Sequence, residues 1–164
     1  MKAIKQTKVV RSIVSHEGFA DVLTNHLTEE KSLHSTLHFS ENDVIQNFSA
    51  ATIVNIPTYL TVQINLHEHI TLQPTYLQYI NHSCNPNAFF NTTTFELIAL
   101  KEIKPGDEIT FFYPSTEWNM TQNFVCTCGY KDCLQNIKGA AHISIETLIN
   151  YRLTDFIQSM LVTQ

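Results

Sequence analysis

Asn81-His82-Ser83-Cys84-Asn85-Pro86-Asn87 is the stretch around which this chain is organised. It follows Tyr76, Leu77, Tyr79 and Ile80, a segment apolar enough to be buried, so its polar groups are delivered to the edge of a core. Proline fixes φ, and asparagine tolerates unusual dihedrals while bonding its own backbone, so Asn85-Pro86-Asn87 reads as a turn. Taken alone, the heptamer fits two descriptions: an Asx-rich loop with a chance cysteine, or a site built at the core edge. Features further along the chain decide between them.

The first of these is Cys126-Thr127-Cys128-Gly129-Tyr130-Lys131-Asp132-Cys133, three thiols in a short polar run. Tetrahedral zinc takes four ligands, and Cys84 is the only other cysteine in the chain. A site of Cys84, Cys126, Cys128 and Cys133 would be structural and closed, and would tie the C-terminal segment to residue 84. Four unrelated reduced cysteines in a core are the alternative; they suit the residue type but leave the close polar spacing unexplained. His67-Glu68-His69 also places two imidazoles on one side of an extended segment. No third ligand lies nearby, however, and a polar turn accounts for all three residues.

Composition narrows the class. A chain of 164 residues, 43% of them apolar, is long enough for one globular domain without disulfide help. The net charge of -5 argues against nucleic acid or an anionic membrane as the main partner and fits a basic peptide or a small cation. Residues 1–8 lack the apolar region of a signal peptide, and no apolar run approaches the roughly 18 residues of a membrane span. An intracellular protein with reduced cysteines is therefore expected.

The pattern along the chain is mostly β. Residues 9–14 are rich in β-branched side chains (Val9, Val10, Ile13, Val14) and read as a strand ending in a turn that holds Gly18. Residues 33–39 and 44–48 read as strands about a turn at 40–43, and the period-two alternation of 58–65 predicts a half-buried strand. Residues 95–100 and 108–113 read as strands joined through Lys104-Pro105-Gly106-Asp107, where Pro-Gly suits a type II turn. From Ser144 the apolar spacing becomes helical, with Ser144 and Thr154 as expected N-caps.

With these residues assembled, the chain resembles the SET-domain methyltransferases, most of which transfer methyl groups from S-adenosylmethionine to protein lysine. Residues 81–87 match that family's Asn-His-Ser-Cys-x-Pro-Asn motif throughout. Gly106-Asp107-Glu108-Ile109-Thr110-Phe111-Phe112-Tyr113 looks like its Gly-Glu-Glu-Leu-Thr-x-x-Tyr motif, and Cys126-x-Cys128-x4-Cys133 looks like its post-SET cluster. The resemblance implies a mostly β fold: a SET-domain β-clip of small sheets with a pseudoknot (residues 1–125), a post-SET zinc segment (126–139) and a short C-terminal helical tail (140–164). It also implies roles for single residues. Tyr113 would be catalytic; Glu17, Gly18, Phe19, Asn81 and His82 would hold the cofactor, with Phe124 and Leu134 covering its adenine. Phe111, Tyr79 and Trp118 would line the lysine channel, and Cys84, Cys126, Cys128 and Cys133 would bind zinc.

Two departures from the family pattern stand out. His16-Glu17-Gly18 replaces the usual Gly-x-Gly of the cofactor loop, which bears on cofactor affinity, and Gln78 stands where arginine is frequent. Phe111, two before Tyr113, stands where the resemblance implies control of how many methyl groups are added, and phenylalanine there, leaving more room than tyrosine, points to di- or trimethylation. Three functions stay open at this stage: a lysine methyltransferase acting on a protein, an enzyme of this fold acting on a small amine, and a non-catalytic binding module. Whichever holds, methyl transfer to an amine requires a neutral, well-aligned nitrogen, which an apolar channel promotes by lowering the amine pKa.

Overall fold

The computed structural model describes residues 10–163, so Val9 of the expected first strand and residues 1–8 lie outside the described residues. Strands β1 (Arg11–His16), β2 (Ala20–Asn25) and β3 (Lys31–Ser35) form an antiparallel sheet in sequence order. The turn between β1 and β2 holds Gly18 at φ 69°, a conformation that glycine adopts without the cost of a Cβ. Strand β4 (Val44–Asn47) belongs to a different sheet, while β5 (Ser49–Val54), β6 (Val62–Gln63) and β7 (His69–Gln73) make a third, in the order β5-β7-β6.

Strands β8 (Asn81–His82), β9 (Ala88–Asn91), β10 (Glu96–Ala99) and β11 (Thr110–Phe111) join β4 in the order β4-β10-β9-β11-β8. This sheet carries the knot-like feature of the fold. Strand β11 pairs in parallel with both β8 and β9, so a segment arriving late in the sequence slots between the two arms of an earlier loop. Such threading is rare because connections normally avoid it. A short hairpin of β12 (Phe124–Val125) and β13 (Asn136–Ile137) flanks the cysteine run. Helices α1 (Ile145–Leu148) and α2 (Asp155–Val162) end the described chain.

The three larger sheets share one core, in which Leu33, Ile70, Leu77, Phe90, Leu97, Ile103 and Ile109 are fully buried. The tail builds a second cluster, with Leu148 and Ile157 packed around Phe112 and Ala140. No helix among the described residues is long and apolar enough to cross a membrane.

Several expected elements are shorter than their sequence pattern. Of residues 58–65 only β6 is a strand, because Thr61 N–H bonds Thr58 O (3.2 Å) and the Thr61 hydroxyl accepts from Thr58 N–H (3.0 Å), closing a turn. Threonine side chains compete with a ladder in this way. Residues 33–39 leave the sheet after Ser35, and Phe39 keeps only an isolated bridge to Ile103. The strand expected over 108–113 narrows to β11; Tyr113 opens a 3-10 turn with Pro114, which lacks the N–H a ladder needs. Strands β10 and β11 are joined through a turn closed by Asp107 N–H to Lys104 O (3.0 Å), with Gly106 at φ 94°, yet β9 lies between them. Of the two expected caps, Thr154 accepts from Ile157 N–H, whereas the Ser144 hydroxyl turns to Thr147.

Candidate active site and thiolate centre

Residues 83–87 arch over β11 and are fastened to it from both ends. Ser83 N–H donates to Phe111 O (3.0 Å) and Asn87 N–H to Thr110 O (3.2 Å). The Asn87 amide closes the arch, donating to Glu108 O (2.8 Å) and accepting from Thr110 N–H (2.8 Å). The Asn87 side chain thus satisfies backbone groups of residues 108 and 110 at the entry to β11.

Tyr113 follows directly from this clamp. Its N–H donates to His82 Nδ1 (3.2 Å), and its hydroxyl donates to Ile80 O (3.3 Å). The rings of Phe111, His82 and Phe124 surround it, with centroids 4.7, 5.2 and 5.8 Å away. Burial, reinforced by the charges of Glu108 and Glu117, raises the Tyr113 pKa, so the phenol stays protonated well past neutrality.

Two cavities meet at Tyr113. One, of about 170 Å³, is walled by Val62, Leu77, Ile80, Phe90, Phe111 and Phe124, with Glu117 among its lining. The other, of about 530 Å³, is lined by Lys31, Gln78, Tyr79 and Asn81. Glu17 borders a further cavity that shares Lys31, Gln78 and Tyr79 with the second.

His82 joins this site to the cysteines. Because Nδ1 accepts from Tyr113, the ring proton sits on Nε2, which faces Cys84 Sγ at 3.4 Å. Burial depresses its pKa to about 4, so the imidazole is neutral. The Asn81 amide is engaged elsewhere, donating to Lys31 O (3.0 Å) and Glu108 Oε1 (3.1 Å).

All four cysteines converge. Their Sγ atoms lie within 4.8 Å of one another, and Cys84 is 4.0 Å from Cys126 and 3.9 Å from Cys133. A tetrahedron with Zn–S bonds of about 2.3 Å has S–S edges of roughly 3.8 Å, so the set fits. Backbone N–H groups of Leu134, Cys128 and Gln135 point at Cys84, Cys126 and Cys133 Sγ, each at 3.4 Å. Burial pushes the Cys126 thiol up to about 11 and Cys84 higher still. At Cys128 burial also acts upward, but hydrogen bonds outweigh it and bring the thiol down to about 6. A dication held by the four sulfurs would favour their thiolate forms.

The remaining expected site residues divide by location. Phe111 and Phe124 line the smaller cavity, and Glu17 lies on the Asn81 side. Gly18 sits at the β1–β2 turn with open space where a Cβ would be. Phe19 instead faces the core, packed on Phe39 and Tyr76. Tyr79 borders the Asn81 side, not the channel in front of Phe111, and its hydroxyl accepts from Lys31 Nζ (3.3 Å). Trp118 packs in the tail cluster, its backbone N–H held by Gln63 Oε1 (2.9 Å), and the smaller cavity is lined by Phe124 and not by Trp118. Leu134 bridges the cysteines and the tail.

Three groups escaped the sequence pattern. Tyr151 stacks on Phe112 (3.7 Å, 7°) and donates to Cys84 O (2.9 Å), tying the tail to the arch. Glu117 and His69 come together across 48 residues because Gln63 of β6 pairs with His69 of β7 and donates its N–H to Glu117. His69 had been absorbed into a polar turn, yet it is buried.

The comparisons with known proteins agree with this geometry. The SET domain family profile matches residues 2–114. Methyltransferase flvH of Aspergillus flavus is 41% identical over 149 residues, which cover 90% of this chain and 83% of the relative. N-lysine methyltransferase SMYD2 of Rattus norvegicus is 32% identical over 49% of the chain, and histone-lysine N-methyltransferase set9 of Schizosaccharomyces pombe is 42% identical over 31%. These matches span only 21% and 12% of those two proteins. The crystal structure of KRYPTONITE in complex with mCHG DNA and SAH superposes with a TM-score of 0.53 over 79% of this chain and 29% of that one, at 16% identity, a likeness of fold. With the profile covering most of its length and a relative matching nine-tenths of it, the chain belongs to the SET-domain methyltransferase family.

Proposed function

We propose that the chain transfers methyl groups from S-adenosylmethionine to the side-chain amine of lysine in a protein substrate. The observation that carries this reading is the position of Tyr113, which lines both the apolar cavity and the cavity bordered by Asn81. A donor on one side and an acceptor on the other meet at a single hydroxyl. Glu17, Gly18, Asn81 and His82 would hold the cofactor, while Phe124 lies in the wall of the acceptor cavity. When bound, the cofactor supplies a methyl group on a sulfonium, ready for in-line displacement.

The chain's own residues prepare the acceptor. Phe90, Phe111, Leu77 and Ile80 surround the incoming amine with apolar surface, which lowers its pKa and favours loss of its proton to water. A neutral nitrogen is the form that could accept the methyl group the cofactor would supply. Tyr113, protonated and fixed by Ile80 O and His82, orients the amine. Phenylalanine at 111 leaves space for a second and third methyl group.

The relatives SMYD2 and set9 bear lysine-methyltransferase names, and KRYPTONITE was crystallised with SAH. The net charge of -5 suits a basic peptide. Cys84, Cys126, Cys128 and Cys133 would hold a structural zinc, making residues 126–139 a post-SET segment between the SET domain and the tail. A small-amine substrate is the second reading, left open because flvH, matched over 83% of its length, is named as a methyltransferase without a lysine substrate.

Incubating a proteome with the protein and methyl-labelled cofactor, followed by mass spectrometry, tests both. Label on protein lysine is expected. Label confined to free amines replaces the protein substrate with a small one, and bound cofactor without transfer to either removes the enzyme reading.

A further inference from the structure

The cavity in front of Tyr113 contains one charged group among its described lining residues, the Glu117 carboxylate. The side chain is 12% exposed, and its Oε1 accepts from Gln63 N–H at 2.8 Å. Its Oε2 faces His69 Nε2 at 3.4 Å, but no hydrogen bond forms, and neither ring nitrogen of His69 has a hydrogen-bond partner. The His69 side chain is only 8% exposed. A buried carboxylate is costly unless compensated, and here one oxygen keeps unused accepting capacity beside a cavity. The carboxylate thus shares the cavity lining with Tyr113, with Oε1 held by Gln63 N–H and the Thr116 hydroxyl and Oε2 without a hydrogen bond.

We propose that Glu117, oriented by Gln63, recognises the ammonium group of an incoming primary alkylamine at the Tyr113 cavity. The proposal rests on reading that cavity as the acceptor channel. A lysine side chain and a free alkylamine present the same –CH2–NH3+ end, so either source satisfies the chemistry. Recognition concerns the cation on entry; the proton is shed before attack. Loss of the carboxylate should therefore raise KM far more than it lowers kcat.

Glu117→Gln is the informative variant, because its amide oxygen still accepts from Gln63 N–H while the charge is gone. With S-adenosylhomocysteine present, calorimetry compares n-pentylammonium with 1-hexanol, and a lysine peptide with its norleucine counterpart. The wild type is expected to favour the charged member by about tenfold or more, as charge-assisted hydrogen bonds do, and E117Q to lose that preference with thermal midpoint and S-adenosylhomocysteine affinity unchanged. A preference confined to the peptide pair identifies lysine in a polypeptide; one confined to the small pair identifies a free amine. An equal preference in wild type and E117Q, or none in the wild type, overturns the proposal. A second measurement needs no variant: the Glu117 carboxyl carbon resonance of the wild type should move with n-pentylammonium and not with 1-hexanol, and an unmoved resonance also overturns it. Binding is read without methyl transfer, so a protein that prefers the cation but transfers nothing contradicts the enzymatic reading alone.

Discussion

At Tyr113, burial and the neighbouring carboxylates disfavour the phenolate in the folded state, while the unfolded chain ionises near the usual value of about 10. The folded protein therefore binds the proton more tightly. Stability from this group is intact below pH 10 and falls as pH rises above it. Denaturant unfolding should show a steeper loss between pH 9 and 11 in the wild type than in Tyr113→Phe, and equal slopes would contradict the burial argument. The same variant should transfer methyl groups about 100-fold more slowly at neutral pH, the usual order for one positioned donor, while retaining its metal. Gly139 makes a different kind of demand. Its φ is 109°, and an added Cβ would lie 2.6 Å from Trp118 O, where backbone cannot yield. Gly139→Ala should cost about 1–3 kcal/mol in urea unfolding.

Single elements here are short and depend on what crosses them. Helix α2 is capped by Thr154, whose hydroxyl accepts from Ile157 N–H and donates to Ser115 O at 3.0 Å, so one side chain both starts the helix and pins it beside the turn that carries Tyr113. Thr154→Ala should lower stability by about 1 kcal/mol, and hydrogen exchange should quicken in α2 before the sheets. Thr154→Ser should restore most of it. The cap was legible because threonine preceding an apolar helical period has one common use. Ser144 had the same signature but bonds Thr147 instead, since a one-turn helix offers little to cap. Likewise the Thr58–Asn65 alternation was a real period, overridden by hydroxyls that close a turn.

Across the whole molecule, the cysteine centre locks a late segment onto an early one. Leu134 N–H and the Tyr151 hydroxyl both converge on Cys84, one at its sulfur and one at its carbonyl. Metal analysis of the folded protein should find about one zinc per chain. Cys84→Ser should lose it, make residues 124–137 sensitive to proteolysis, and weaken S-adenosylhomocysteine binding, because His82 faces the same sulfur. Loss of zinc with unchanged cofactor affinity would separate the two roles.

The sequence by itself determined the family, the thiol set and the central heptamer, because those depend on residue types at short, fixed spacings: four cysteines, a Pro-Asn turn, a Pro-Gly turn. It also determined Tyr113 as the residue to watch. Tertiary structure alone decided the parallel insertion of β11 between β8 and β9, the cavity that Tyr79 borders, the presence of Phe124 and not Trp118 in the lining of the smaller cavity, and the meeting of Glu117 with His69. The physical reason is common to all four. Each arises where strands distant in sequence are brought together by a crossing or a register, and local propensity and period carry no information about which distant surfaces will meet.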